Sequence, residues 1–326
     1  MKFLKIIALA AVLLLFNSAV FAKKYKISVL APKGTTLANA VSDLSKKIKK
    51  KTEGRVQFKV YYGGISGDEP VVLKKIRIGQ MHGSFFTGKT LGDIQGDLRV
   101  MELPFNYMNK PNLLGKSLPT FEKDFEQILD KKGFVSLGFF LLGEVYLIST
   151  KKIENIKQLN KVKIWSWEGD QIVNAMMKEL GCVTVPLALP DVLPSLSSGI
   201  IEATYGPPLG IIALQWHTKV KYLVNVPAAY SIGALVLSKK SFNKIKKEDQ
   251  VILRNMAKEI AANANAQSKK ENDAALKKLK EVGIKFIDFP KSETQQAEKI
   301  RTSVIKKLEG KVLSKSIIDK FNKIRK

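Results

Sequence analysis

The segment YKISVLAPKGTTLANAVSDLSKKIKKKTEGRVQFKVYY, residues 25–62, contains the alternation of elements that decides the fold class. Residues 25–30 and 56–62 have the composition and alternation typical of β-strands. The apolar residues between them recur at helical spacing: Leu37, Val41, Leu44 and Ile48. The segment therefore predicts a strand, an amphipathic helix and a second strand.

The same alternation continues along the chain. Residues 71–78 favour a helix and residues 81–86 a third strand, so the order is β-α-β-α-β. This order predicts an α/β fold with a mainly parallel sheet that is covered by helices on both sides. Further strands are expected at residues 138–141, 145–149, 162–167 and 183–188, with a helix at residues 172–180.

A long helix is predicted near the C-terminal third of the chain. Residues 247–282 contain neither glycine nor proline, and a helix of this length would extend about 54 Å. Such a helix exceeds one small domain, so we expect it to bridge two lobes. The sequence has no linker rich in proline, glycine and serine, which favours lobes joined by several crossing strands with a cleft between them.

The N-terminal segment has the pattern of a secretory signal peptide. Lys2 and Lys5 precede an apolar run over residues 6–16, and small residues lead to an expected cleavage site near Ala22. The run is too short to span a bilayer. We therefore expect export, residues 1–22 as the signal peptide, and a chain whose length favours two domains.

The chain is strongly basic, with a formal net charge of +26. Its 55 basic residues comprise 49 lysines and 6 arginines, and they are spread along the whole chain. The densest run, residues 46–51, lies on the polar face of a predicted helix. Arginine forms bidentate hydrogen bonds with phosphates and stacks on bases. Its scarcity therefore argues against nucleic acid as a partner. Solvated lysine faces are the favoured interpretation, and nonspecific attraction to an anionic surface stays open.

Catalytic motifs are not evident in the sequence. His82 and His217 lack metal-ligand spacing, and no nucleophile elbow, dinucleotide fingerprint or P-loop occurs. A Ser-x-x-Lys at residues 149–152 is expected by chance in so lysine-rich a chain. The single cysteine, Cys182, excludes an internal disulfide and favours a small buried side chain. The sequence predicts a protein that is not an enzyme and uses no metal or cofactor.

Two of the three tryptophans lie in KIWSWEGD, residues 163–170. Because successive side chains of a strand point to opposite faces, Trp165 and Trp167 are expected to stand side by side. Two interpretations follow. The rings either fill a core between the lobes or line a pocket.

The order of segments resembles the periplasmic solute-binding proteins of TRAP transporters, the tripartite ATP-independent periplasmic uptake systems. The matching pieces are SGDEPVVLKKIRIGQMHGSFF, MELPFNYM, GFVSLGFFLLGEVYLIST, KKIENIKQLNKVKIWSW, GCVTVPLALPDVLPSLSSGIIEATYGPP, KVKYLVN and the long helix ending in EVGIKF. The resemblance implies a two-lobed clamshell like other periplasmic binding proteins, with the long helix bridging both lobes. Domain I is expected at residues 23–142 and 230–270, and domain II at residues 143–229 and 271–326.

This resemblance also implies a function. The receptor closes on a small molecule in the periplasm and delivers it to the small and large TRAP membrane subunits. Two alternatives stay open: a binding protein that acts as a sensor or lipid carrier without transport, and, as a weaker alternative, a secreted hydrolase.

Three positions depart from the family pattern. Most members carry an arginine that pairs with the carboxylate of the substrate, and Trp165 stands in its place. A second family arginine corresponds to Val145, and a polar residue corresponds to Gly206. Because a carboxylate buried without a partner charge costs several kcal/mol, these departures predict an apolar or aromatic ligand in place of a simple acid.

The expected ligand-binding residues follow from the matching positions. They are Glu69, Phe85, Thr87, Val145, Trp165, Trp167, Leu189 and Tyr205. A lipid fragment, or an acid held by Lys163 or by backbone donors, remains an alternative ligand. Trp216, Met176 and Met177 are interpreted as packing residues, and Glu202 as a residue that holds a turn.

Overall fold

A computed structural model of the protein describes residues 23–110, 112–290 and 292–326. The predicted signal peptide lies outside these residues. Within the described residues, no helix combines the length and apolar character needed to cross a bilayer.

Ten strands are found among the described residues: β1 (Lys23–Val29), β2 (Val56–Tyr62), β3 (Gly83–Thr87), β4 (Phe134–Ser149), β5 (Lys163–Ser166), β6 (Val183–Pro186), β7 (Ala203–Gly206), β8 (Tyr222–Val224), β9 (Ala229–Ser238) and β10 (Lys285–Ile287).

The α-helices of the described residues are α1 (Thr36–Lys51), α2 (Glu69–Arg77), α3 (Gly88–Ile94), α4 (Leu113–Lys131), α5 (Gln171–Glu179), α6 (Val192–Ser198), α7 (Pro208–Ala213), α8 (Lys239–Phe242), α9 (Lys247–Glu281), α10 (Glu293–Leu308) and α11 (Lys315–Arg325). Short 3₁₀ helices cover Gly96–Glu102, Ile156–Leu159, Leu189–Asp191 and Trp216–Thr218.

The sheet has the strand order β2-β1-β3-β9-β4-β7-β5-β6, and β8 pairs with β4 and β10. Parallel pairs lie on both sides, β2-β1-β3 and β7-β5-β6. The strands between them are antiparallel, since β9 runs against β3 and β4 runs against both β9 and β7. The expectation of a mainly parallel sheet is therefore wrong at the centre, where β4 and β9 cross between two parallel units.

Strand β4 was expected as two strands, at residues 138–141 and 145–149, but it is one strand of 16 residues. The sequence pattern breaks because Gly138 and Gly143 have φ of 130° and 132° and coincide with shifts of register against β9. Such bulges interrupt alternation without ending the strand. The first part of β4 pairs only with β9, and the last part pairs with β7 and β8.

We call the part built on β2, β1, β3, β9 and the start of β4 the first lobe. The part built on β7, β5, β6 and the end of β4 is the second lobe. Helix α1 covers the first lobe with its buried stripe of Ala38, Val41, Leu44 and Ile48. The predicted stripe is correct at three positions, but Leu37 is only partly buried and Ala38 takes its place.

Helix α9 confirms the predicted long helix, with 35 residues. Its Asn265 side chain bonds the backbone of Phe139 and Leu141 in β4. Further along, Asn272 donates to the Leu142 carbonyl and accepts from the backbone N–H of Leu209 in α7. The helix therefore follows β4 from the first lobe to the second.

Candidate ligand-binding site

A cavity of about 250 Å³ lies where the two lobes face each other. Its lining combines residues from α2 and β3 of the first lobe with residues from β5, β7 and α7 of the second. The structure brings all eight predicted ligand-binding residues to this one cavity: Glu69, Phe85, Thr87, Val145, Trp165, Trp167, Leu189 and Tyr205. Their contact with a ligand stays a prediction.

Trp165 forms the centre of an aromatic wall. Its ring is stacked on Tyr205 with 5.0 Å between centroids, and it meets Trp216 in a T-shaped arrangement with 5.5 Å between centroids. Nε1 of Trp165 donates to the Leu187 carbonyl at 3.0 Å. The indole N–H is therefore engaged by the protein and is not available to a ligand. The ring lines the cavity and is 2% exposed, so it also serves the packing role that was the alternative interpretation.

Trp167 connects the lobes. Its ring lies 5.2 Å from that of Trp165, and its Nε1 donates to Oδ2 of Asp68 at 2.8 Å. Asp68 precedes α2 and accepts from the backbone N–H of Glu69 through its other oxygen. One carboxylate thus caps a helix of the first lobe and holds a tryptophan of the second.

Trp216 and Met176 were interpreted as packing residues, and both are buried, but they also line the cavity. The same wall explains the glycine at position 206. A Cβ atom added to Gly206 would lie 3.2 Å from Cζ3 of Trp216. Trp216 therefore occupies the space that a longer side chain at this position would need.

Glu69 is a buried acid of the cavity wall. It is 2% exposed, and its carboxyl group accepts from the backbone N–H of Thr87 at 3.0 Å and from Oγ1 of Thr87 at 2.9 Å. Burial raises the pKa of Glu69 to about 8, against the opposing effect of these hydrogen bonds. At neutral pH the group is therefore mainly protonated.

This shift predicts a pH-dependent stability. The folded protein keeps a proton that the unfolded chain releases near the usual pKa of 4.5, so the free energy of unfolding should fall as pH rises from about 4.5 to about 8. The slope is at most about 1.4 kcal/mol per pH unit. Glu69→Gln keeps an oxygen acceptor for Thr87 and cannot ionise, so it should remove this part of the dependence.

Urea unfolding of wild type and Glu69→Gln at pH 5.5 and 7.5 measures the effect. The exposed Glu168→Gln is the matched control and should follow wild type at both pH values. Parallel pH profiles for wild type and Glu69→Gln would mean that Glu69 ionises normally in the folded protein.

A buried group of three charges, Arg99, Glu102 and Asp170, lines one part of the cavity, which we call its inner end. Nε of Arg99 donates to Oε2 of Glu102 at 2.8 Å, and its Nη1 donates to Oδ1 of Asp170 at 2.6 Å. Burial alone would lower the pKa of Arg99, but the carboxylates of Asp170 and Glu102 outweigh it and raise the pKa. Because Arg99 follows α3 and Asp170 begins α5, this ion pair also connects the two lobes.

Each acid of this group has a second structural task. Oε1 of Glu102 accepts from the backbone N–H of Ile232 in β9, and Oδ1 of Asp170 accepts from Val173 in the first turn of α5. Burial raises the pKa of Glu102, with Arg99 opposing the shift. Sequence reasoning missed all three residues. Arg99 offered one signal, since it is one of only six arginines in a lysine-rich chain.

Lys163 was an alternative anchor for an acidic ligand. Its side chain is exposed and does not line the cavity, although strand alternation places it on the same face of β5 as Trp165. The alternative is therefore wrong for this cavity. The lining has two cations among the described residues, Arg99 and Lys89, and Nζ of Lys89 is paired with Asp93 at 2.7 Å.

Two other sequence interpretations concern residues outside the cavity. Cys182 is half-buried, and burial raises its pKa to about 11. Glu202 accepts from the backbone N–H of Lys163 and pairs with Lys151, which holds the turn before β7. The described residues contain no cluster of histidine, cysteine, aspartate and glutamate that would hold a metal ion.

A two-lobed α/β fold with a cavity between the lobes is typical of solute-binding proteins that close around a ligand. The chain belongs to the bacterial extracellular solute-binding proteins of family 7 (DctP), whose sequence profile matches residues 27–311. Among curated relatives, a solute-binding protein of Chromohalobacter salexigens is 23% identical over 79% of this chain and 77% of its own length. The C4-dicarboxylate-binding periplasmic protein DctP of Rhodobacter capsulatus is 21% identical over 85% of this chain and 83% of its own.

Solved structures share the fold. A TRAP periplasmic solute-binding protein of Xanthobacter autotrophicus with bound β-D-galacturonate superposes with a TM-score of 0.84 at 21% identity, covering 92% of this chain and 99% of that one. A sugar acid binding protein of Advenella mimigardefordensis in complex with galactonate gives a TM-score of 0.86 at 17% identity, covering 93% and 97%. The predicted resemblance to TRAP solute-binding proteins and the two-lobed fold are confirmed.

Proposed function

We propose that the protein is the extracytoplasmic receptor of a TRAP-type secondary transporter, and not an enzyme. It captures a small molecule in the cavity between its lobes and delivers it to the small and large membrane subunits. The observation that carries the proposal is the cavity between the lobes. Two contacts connect the lobes beside it: the hydrogen bond from Trp167 to Asp68 and the ion pair between Arg99 and Asp170. We place the receptor in the periplasm, after removal of residues 1–22.

The movement that we propose is closure of a clamshell. The two domains would comprise residues 23–142 with 230–270, and residues 143–229 with 271–326. Support comes from β4, where the register against β9 shifts between Leu141 and Gly143. A ligand that bridges both lobes favours the closed form by its higher affinity for that form.

The second part of the proposal concerns the chemical class of the ligand. The acids bound by the solved relatives contradict a purely hydrophobic ligand as the expectation for this family. In this chain, however, Trp165 and Val145 replace the two family arginines, and both lining cations are already paired with acids. We therefore propose a ligand that presents an apolar or aromatic body to the aromatic wall and carries a polar group, and that is not held as a simple carboxylate.

Extraction of the bound molecule tests this function. We expect protein purified without denaturation to release one small molecule per chain on unfolding, detected by mass spectrometry of the extract. Titration of this molecule into the refolded protein should change tryptophan fluorescence, because Trp165, Trp167 and Trp216 all line the cavity.

Two outcomes would contradict the proposal. Chemical conversion of the molecule during incubation would favour an enzyme. Recovery of a dicarboxylate or a sugar acid would refute the ligand class while leaving the receptor in place. Uptake of the molecule by vesicles that contain the membrane subunits, dependent on added receptor, would then separate transport from sensing.

A further inference from the structure

We propose that the inner end of the cavity is a subsite for a positively charged hydrogen-bond donor, such as a protonated amine on the ligand. This inference rests on the proposed function and names the chemical class of the ligand. It is carried by the balance of charge around the cavity, by two polar atoms without partners, and by the aromatic wall beside them.

The charges of the lining favour a cation. Lys89 is neutralised by Asp93. Arg99 is shared by two carboxylates, those of Glu102 and Asp170, so this inner group has one positive and two negative members. An added anion would meet this excess of negative charge in a desolvated site, whereas an added cation would neutralise it.

Asp170 has acceptor capacity left for a ligand. Its Oδ1 accepts from both Arg99 and Val173, and none of the described residues donates to its Oδ2. The side chain lines the cavity and is 2% exposed. A carboxylate oxygen of a cavity-lining residue that receives no hydrogen bond from the protein can accept one from a donor on the ligand.

Tyr205 supplies the second atom without a partner. Its hydroxyl oxygen is buried and makes no hydrogen bond within the part of the chain that the structure describes. Burial raises the pKa of Tyr205, and the charge of Asp170 raises it further. Tyr205 and Asp170 both line this one cavity.

The aromatic wall also favours a positively charged ligand. Trp165 is stacked on Tyr205, and Trp167 and Trp216 pack against Trp165. The faces of aromatic rings attract cations, most strongly for tryptophan. A ligand with an amine at the inner end and an apolar body along this wall would satisfy both parts of the cavity.

A matched series of probes tests the subsite by isothermal titration calorimetry. The probes are phenethylamine, 2-phenylethanol and phenylacetate, which share one ring and differ in charge, together with D-glucuronate. We expect phenethylamine to bind about tenfold or more tighter than phenylacetate. Equal affinities, tighter binding of either acid, or no binding of the amine would overturn the subsite.

Two variants connect the effect to the proposed atoms. Tyr205→Phe removes only a hydroxyl without a partner, so it should fold normally and lower the affinity for phenethylamine several-fold. Asp170→Asn should lower it further, and its exposed neighbour variant Glu168→Gln should leave it unchanged. If phenethylamine binds but both cavity variants bind it like wild type, the amine lies elsewhere and the assignment is wrong.

The failure of this inference can be distinguished from failure of the receptor function. If D-glucuronate or the extracted molecule binds and changes tryptophan fluorescence while the amine does not bind, the cationic subsite is wrong and the receptor proposal stands.

Discussion

Replacing Arg99 by methionine is expected to lower the free energy of unfolding by about 3–5 kcal/mol. The substitution removes the only cation that contacts Glu102 and Asp170 among the described residues, and both acids are less than 10% exposed. They would be left as unpaired buried charges, or would have to take up protons. Urea unfolding at neutral pH measures the loss.

The matched control is Arg77→Met, an exposed arginine on α2, which should change stability by less than about 0.5 kcal/mol. A triple variant with Arg99→Met, Glu102→Gln and Asp170→Asn removes all three charges and keeps oxygen acceptors for the N–H groups of Ile232 and Val173. We expect it to recover at least half of the loss. A single variant as stable as wild type would show that the ion pairs do not form in solution.

Replacing Trp165 by alanine is expected to lower the free energy of unfolding by about 3–5 kcal/mol. The indole is 2% exposed and contacts three aromatic rings, and its removal extends a cavity of about 250 Å³. The carbonyl of Leu187 would also lose its donor. Trp165→Phe keeps a ring and should lose only part of this stability.

Ile65→Ala is the matched control, since Ile65 is 76% exposed and its truncation should have little effect on stability.

A binding measurement separates the packing role of Trp165 from its role in ligand contact. Trp165→Arg restores the residue type of the family but should weaken binding of the extracted ligand. Unchanged affinity would mean that the ring supports the lobes without contacting the ligand.

These substitutions describe how the cleft differs from the family pattern. The resemblance to the family implies an arginine at the position of Trp165 that meets the carboxylate of the substrate. Here the strand position holds a ring, and the guanidinium of the cleft comes from Arg99 in the other lobe, where two acids already occupy it. The cation has therefore become part of the contact between lobes, which is why we assign the ligand a different charge.

Local sequence patterns determined the elements with strong periodicity. The stripe of α1, the strand β2 and the uninterrupted run of α9 were predictable because their signals lie within one segment. Strand β4 was not predictable as one element, because Gly138 and Gly143 break its alternation while its pairing with β9 continues. The antiparallel centre was missed for a related reason, since the direction of a strand depends on partners that are distant in sequence.

The sequence by itself determined the two-lobed α/β class, the long bridging helix and, through the family resemblance, eight of the residues that line the cavity. Only the tertiary structure decided which polar groups of these residues remain available to a ligand. It engaged the N–H of Trp165 with Leu187 and that of Trp167 with Asp68, and it placed Arg99 against Asp170, 71 residues away. Hydrogen bonds and buried charges depend on which groups meet in space, whereas periodicity within a segment reports only which face of an element is buried.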